Sequence, residues 1–457
     1  MLTTTTKHYE SNRRDFLKKT ALGAVGVTLA SNSINAMSAK SYSKIIGSND
    51  RINVAIQGLG RRYGAYMSAI ADKNNNIELS YLCDVMKSQR DKAAIEVSKK
   101  LGKTPKLEND IRKILNDKDV DAVFMATPDH WHAPGACMAM QAGKDVYLEK
   151  PCSHNPKEGE LLVAYQQKYN KIVQMGNQQR SSSQSQEVIK AIHEGVIGDV
   201  YNAIAFYTSK RGPVPHQKKT APPEGLDWDL FQGPAPRREY TDDTWNYNWH
   251  WYGWDYGTAE MGNNATHELD IARWALDVKY PEHVDVKSGK FHYKDDGWEM
   301  YDTMEATFRF AGNRSIQWDG RSRNGYDKYG AGRGTLVYGS NGSAFIDRDG
   351  YKLFDIKGKE QKNNIVTGIE DGNALGGGGQ LSKAHTVNFF DAIRGKAPLT
   401  SPIEQGAISQ MLTHYANIAH RIDDAFEVDE TTGRIYNREA MKLWSRTYEP
   451  GWEIKPV

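Results

Sequence analysis

The chain has 457 residues, with 59 Lys and Arg against 57 Asp and Glu, for a formal net charge of +2. That length allows two domains with cores of their own, and the near balance of charge gives no basic surface for nucleic acid. Cys83, Cys137 and Cys152 lack metal-ligand spacing and read as buried free thiols, so neither a disulfide framework nor a metal site is expected.

Residues 1–50 read as a signal peptide and linker. Ser11-Asn12-Arg13-Arg14-Asp15-Phe16-Leu17-Lys18-Lys19 is a twin-arginine pattern, followed by a mildly apolar stretch from Thr20 to Ala30 that is too short to span a bilayer. Cleavage is expected near Ala36. The alternative is a chance Arg-Arg pair in a tail. Export of the folded protein by the twin-arginine route, to the periplasm or cell envelope, suits an enzyme that loads a cofactor first. No later segment is apolar enough to cross a membrane.

Residues 51–170 read as a dinucleotide-binding domain. Ile52 to Gln57 is strand-like and runs into Gly58-Leu59-Gly60-Arg61-Arg62-Tyr63-Gly64, with helix-compatible sequence from Ala65 to Asp72. Strand, Gly-x-Gly and helix form the context that a dinucleotide fingerprint requires. The usual third glycine falls at Tyr63, with Gly64 one residue late, which weakens the expected helix–strand packing. A second strand, Ile77 to Cys83, ends at Asp84. An acid there can accept both ribose hydroxyls of NAD and repels the 2′-phosphate of NADP, which makes NAD the expected cofactor; the alternative is a helix N-cap. A buried strand from Val120 to Ala126 leads to Thr127-Pro128-Asp129-His130-Trp131-His132, and a helix from Ala133 to Ala142 follows. His130 and His132 read as loop residues near the cofactor. The next strand, Asp145-Val146-Tyr147-Leu148, ends in Glu149-Lys150-Pro151. Lys150 therefore stands at the carboxyl end of a strand, where open α/β sheets place their ligands. It reads as a fixed charge or proton donor for a substrate oxygen, against a solvated loop lysine.

These motifs together resemble the Gfo/Idh/MocA oxidoreductase family, which includes glucose-fructose oxidoreductase and inositol dehydrogenase. The resemblance implies an α/β chain: a Rossmann domain, then an α+β domain with a large, mostly antiparallel open sheet. It places Gly58, Leu59, Gly60, Arg61, Arg62 and Asp84 at the cofactor. Thr127, Pro128, His130, His132, Glu149, Lys150 and Gln178 join them there, with Lys150 at the nicotinamide end.

Residues 171–457 read as the substrate-binding and oligomerisation domain. Helices are expected over Lys157–Tyr169 and Ser185–Glu194. Strands are expected over Val200–Thr208, Thr303–Phe310, Ser315–Trp318, Thr335–Tyr338 and Ser343–Arg348. Gly176 to Arg180 matches the family's turn after the strand Ile172–Met175, which brings Arg180 towards substrate. In Tyr240–Tyr256, eight of seventeen residues are aromatic. The alternation Trp245-Asn246-Tyr247-Asn248-Trp249-His250-Trp251 would put rings on one face and polar groups on the other. Sugar rings stack on such faces, so Trp249, Trp251 and Trp254 are candidate substrate contacts; the alternative is a packed lid or subunit contact. Gly262 to Trp274 reads as a helix start with Asn263 and His267 on one face. By resemblance, His267 is the acid/base on the substrate hydroxyl, near its ordinary pKa of ~6.5. Asn263 replaces the family's acid, so it can orient a hydroxyl but cannot take a proton. A last helix, Lys383–Arg394, is expected to place His385 in the core or at the surface, after a glycine hinge at 376–379.

The expected function is NAD-dependent oxidation of a secondary hydroxyl of a sugar or glycoside, with a tightly held cofactor and catalysis by Lys150 and His267. Two alternatives stand beside it. One is redox-neutral glycoside cleavage through a transient keto sugar; the family's glycosidase branch lacks the Glu-Lys-Pro motif intact here, which makes it the weaker resemblance. The other is a non-catalytic sugar- or cofactor-binding protein. An open sheet face favours a homo-oligomer.

Overall fold

Apolar runs in the first half and alternating patterns in the second build two different sheets. The computed structural model describes residues 50–366 and 379–457. The twin-arginine segment and the glycines at 376–378 lie outside the described residues.

The first sheet contains β1 (Ile52–Gln57), β2 (Ile77–Cys83), β3 (Lys106–Glu108), β4 (Ala122–Met125), β5 (Asp145–Leu148) and β6 (Val173–Met175), in the order β3-β2-β1-β4-β5-β6. Every pairing is parallel. All four residues of β4 are buried, as expected of a strand covered by helices on both faces. β6 is the sixth strand of this sheet, so the boundary expected at residue 170 moves past Met175. The helix Gln380–Ile393 also returns to this domain. Its Phe389 and Phe390 join the core of Ile56, Phe124 and Tyr147, with Phe389 edge-on to Phe124 at 5.6 Å. His385 is buried in that helix, bonded to Ser181 Oγ at 2.6 Å and to the Met175 carbonyl at 2.9 Å.

The second sheet contains β7 (Val200–Thr208), β8 (His283–Gly289), β9 (Thr303–Phe310), β10 (Arg314–Arg321), β11 (Arg333–Gly339), β12 (Gly342–Ile346), β13 (Gly350–Asp355), β14 (Glu360–Ile365) and β15 (Phe426–Glu427). Their order is β14-β13-β12-β11-β7-β10-β9-β8-β15, antiparallel except where β7 pairs with β10. Along β9 the burial alternates, with Met304, Ala306, Phe308 and Phe310 turned inward. One face of the sheet carries the core, packed under the helices Ser183–His193, Thr266–Leu276 and Ile403–Ile422. The five strands expected here are present. β8, β13, β14 and β15 are additional.

The aromatic segment departs from expectation. Instead of a strand it forms turns and a short 3₁₀ helix over Asn248–His250, with Tyr247 in the left-handed region at φ 97°. The rings therefore separate. Trp249 packs with Phe231 and Tyr256, whereas Trp251 lies 4.6 Å from Trp298 in the main core.

A buried ion pair ties the second domain together. Arg180 donates to both oxygens of Asp270, at 2.7 and 2.8 Å, and Ser409 Oγ donates to the same carboxylate. Arg273 in turn holds Ser409. Arg180→Met should therefore lower unfolding free energy by about 3 kcal/mol, because it strands a buried carboxylate. Chemical denaturation checks this, and an unchanged midpoint would contradict it.

Candidate active site

The parallel sheet reverses its strand order between β1 and β4, and a crevice opens at the carboxyl ends of the strands. A cleft of about 980 Å³ occupies this position and reaches across to β7, β11 and the helix start at Asn263.

The nucleotide end follows from the glycine turn. Gly58 has φ +90°, and a Cβ there would collide with the Ala126 carbonyl, so only glycine lets β1 turn against β4. Gly60 has open space around its Cα, which leaves the backbone accessible to a diphosphate. The following segment is a 3₁₀ turn, Tyr63–Tyr66, and one short helix, Met67–Ile70, rather than the continuous helix expected over Ala65–Asp72. Asp84 ends β2 and accepts from the backbone N–H of Leu59 at 2.7 Å and of Met86 at 2.8 Å. It is no helix cap; it fixes the glycine turn while lining the cleft. Burial raises its carboxyl pKa, against the pull of these two backbone donors. Leu59 itself is fully buried and contributes backbone only.

Glu149, at the carboxyl end of β5, is a hydrogen-bonding hub. Arg62 Nε donates to it at 2.7 Å, Tyr66 Oη at 3.0 Å and Gln178 Nε2 at 3.2 Å. Burial opposes its charge, but Arg62 wins and holds the carboxyl below its ordinary value. The next residue, Lys150, crosses to the second domain. Its Nζ donates to the backbone carbonyl of Asn263, and the Asn263 side-chain oxygen lies 3.4 Å away. Asn263 sits in a π-helical turn, Met261–Ala265, that opens the helix carrying His267. Gly262 makes this approach possible, because a Cβ there would strike Thr258 and press on Pro151.

Burial lowers Lys150 to about 8, although Asp129 and Glu149 pull the other way. His267 lies in the first turn of the helix Thr266–Leu276, and it lines the cleft. Burial, then Arg348, Lys150, Arg333 and Arg62, hold its pKa well below the ordinary value. The expectation of a near-ordinary imidazole is therefore corrected: burial and the surrounding cations favour the neutral ring of His267.

Gly58, Gly60, Arg61, Arg62, Asp84, Thr127, Pro128, His132, Glu149, Lys150 and Gln178 line the cleft. His130 does not. The helix begins at Asp129, not Ala133, and turns His130 into the core, where its Nε2 meets the Phe231 carbonyl at 2.8 Å. His132 Nδ1 holds the Pro151 carbonyl at 2.6 Å, and burial lowers its pKa to about 4. On the substrate side, Trp249, Asn263 and His267 line the cleft. Arg180 is spent on Asp270, Trp251 is core, and Trp254 packs under Arg421.

The sequence did not single out Asp129, His250, Arg211 or Arg348, which also line the cleft. His250 stacks on Trp249 at 3.6 Å, and its Nδ1 is held by the Tyr247 carbonyl. Arg61 lies 4.2 Å above the Tyr247 ring and so joins the glycine turn to the aromatic segment. Asp129 stood in plain view within its motif; only the helix start shows that it, rather than His130, turns to the cleft.

Comparison with known proteins gives the same class. Residues 52–177 match the model of an oxidoreductase family with an NAD-binding Rossmann fold. The match covers the nucleotide half of the chain, which is similar to the Gfo/Idh/MocA oxidoreductases. A glycosyl hydrolase family 109 protein of Shewanella baltica is 26% identical over 210 residues, covering 43% of this chain and 46% of its own. The chain thus spans about half the length of the curated relatives it matches. In fold it resembles the WlbA dehydrogenase of Bordetella pertussis, solved with NADH and UDP-GlcNAcA (TM-score 0.61, 18% identity, 83% of this chain and 99% of that one). It also resembles levoglucosan dehydrogenase in complex with NADH (TM-score 0.62, 18% identity, 83% and 100%). The intact Glu-Lys-Pro motif made the glycosidase branch the weaker resemblance, yet curated relatives carry that branch's name.

The open backbone at Gly60 and the carboxylate of Asp84 fit NAD. Asp84→Ser should weaken NAD binding about tenfold, the loss of charge-assisted hydrogen bonds to a ribose diol, and should narrow the preference over NADP. Calorimetry with both cofactors checks this, and unchanged selectivity would contradict it.

Proposed function

We propose that the protein is an NAD-dependent oxidoreductase that oxidises a secondary hydroxyl of a sugar or glycoside where Lys150, Asn263 and His267 meet. The observation that carries this reading is the reach of Lys150 from the nucleotide sheet to the helix start of the second domain. NAD, when bound, supplies the hydride acceptor. The protein's own groups supply the proton chemistry and the orientation.

A lysine with a pKa of about 8 is neutral in roughly one molecule in ten at pH 7, enough to accept a hydroxyl proton. His267 is the poorer proton sink, because an imidazolium there would form beside four cations. Its neutral ring instead orients the hydroxyl by a hydrogen bond, and the Asn263 amide serves the same end. This exchanges the roles expected from the sequence: Lys150 is the base and His267 the orienting group. Trp249 offers a ring for the apolar face of a sugar.

The glycosyl hydrolase relative supports a second reading on the same site. Oxidation beside a glycosidic bond acidifies the neighbouring C–H, so elimination, water addition and return of the hydride would cleave the bond with no net redox change. Sugar release without accumulation of NADH identifies this course. Arg13-Arg14 supports export, and an exported enzyme gains from keeping and recycling one cofactor.

Lys150→Met should retain NAD and lower kcat by about 10²–10⁴-fold, the contribution of a positioned base. In the wild-type protein a protonated Lys150 cannot accept the proton, so kcat/KM for oxidation should rise with pH and level off above about 8. Steady-state kinetics on a glycoside panel measure both. Full activity of Lys150→Met would remove the proposed role.

A further inference from the structure

Asn263 offers Lys150 only neutral oxygens, yet a base that becomes an ammonium ion needs a counter-ion in a site shielded from water. Two carboxylates act on Lys150: Glu149, beside it on its own strand end, and Asp129, at the start of the helix Asp129–Gln141. Glu149 is already committed to Arg62 at 2.7 Å. Asp129 forms no direct ion pair among the described residues, is 2% exposed and lines the cleft. Its place is fixed from the second domain. Thr258 donates to Oδ2 from its backbone at 3.0 Å and from its hydroxyl at 2.6 Å. Asn417 on the long helix Ile403–Ile422 holds the Thr258 carbonyl at 2.9 Å, and Tyr301 Oη holds Asn417 at 2.7 Å. Three buried residues from three parts of the chain thus set one carboxylate at the cleft wall.

We propose that Asp129 is a positioning residue of the reaction, the counter-ion that stabilises the Lys150 ammonium as the substrate hydroxyl gives up its proton. In that step the substrate O–H bond breaks as the Lys150 N–H bond forms; the C–H bond of the carbon bearing that oxygen breaks, its electron pair leaving with the hydride that NAD would accept, and the carbonyl π bond forms. The charge on Lys150 rises by one, and Asp129 is the anion that meets it. The inference rests on Lys150 being the base. The other groups facing Lys150 do not substitute. Arg62 and Arg348 are cations, and His132, His250 and His267 are held neutral by burial. Burial raises Asp129 itself to about 6, so it is ionised in the range where Lys150 titrates.

The test measures Lys150 directly in the NAD-loaded protein, by the pH dependence of its acetylation with acetic anhydride, read by mass spectrometry. The wild-type midpoint should lie near 8. Asp129→Asn keeps the acceptor for Thr258 but loses the charge, and should lower that midpoint by about one unit, a tenfold change, with the limb of kcat/KM moving in the same direction. Asp129→Glu should restore both. If Asp129→Asn does not fold, Thr258→Val serves instead. Without the hydroxyl donor Asp129 protonates at higher pH, and the Lys150 midpoint should fall by a smaller amount. An unchanged midpoint in the folded variant overturns the role of Asp129. A wild-type midpoint near an ordinary lysine's ~10.4 overturns instead the assignment of Lys150 as base.

Discussion

The reach of Lys150 across the cleft is the constraint on which the site depends. A lysine at the end of β5 belongs to the nucleotide domain, and its acceptor belongs to the first turn of a helix in the other. Two local features permit the contact. Gly262 lets that turn lie against Pro151 and Thr258 without a side chain between them. His132 holds the Pro151 carbonyl and so fixes the segment that carries the lysine. Any larger separation would leave an ammonium group buried without an acceptor, which costs more than its hydrogen bonds return.

Burial then sets the chemistry. It lowers both Lys150 and the cavity histidines, but to different ends. The lysine has two carboxylates working against desolvation and stays near a usable pKa. The histidines have mainly cations around them and are held neutral. In the proposed reaction one environment separates a proton carrier from hydrogen-bonding groups, as sites that run acid–base chemistry near neutral pH commonly do. The same logic explains why Arg180 is no substrate ligand. Arg180 is buried, is fixed on Asp270 by two hydrogen bonds and does not line the cleft.

Much of this was legible in the sequence. The parallel sheet was, because strands buried on both faces leave continuous apolar runs. So were Gly58, Asp84 and Lys150, whose places follow from strand ends. The aromatic segment was not. Period-2 alternation from Trp245 to Trp251 is the pattern of a strand, but tertiary packing drew Trp249 and Trp251 into separate cores, with the chain reversing at Tyr247. The two histidines after Thr127 were misplaced for a related reason. A helix that begins at Asp129 rotates each residue by a third of a turn or so, and that rotation, not the residue types, chose Asp129 and His132 for the cleft and His130 for the core. Long-range contacts such as Arg61 over Tyr247 leave no local trace at all.

The central claim is that a hydride moves between a sugar carbon and the nicotinamide in this cleft. A glycoside panel deuterated at the ring carbons, offered to the NAD-loaded protein in a single turnover, tests it most directly. Mass spectrometry of the released cofactor should find deuterium on the nicotinamide ring for one labelled position, with a primary isotope effect on the rate. Substrate turnover or tight sugar binding with no label in the cofactor from any position would contradict it.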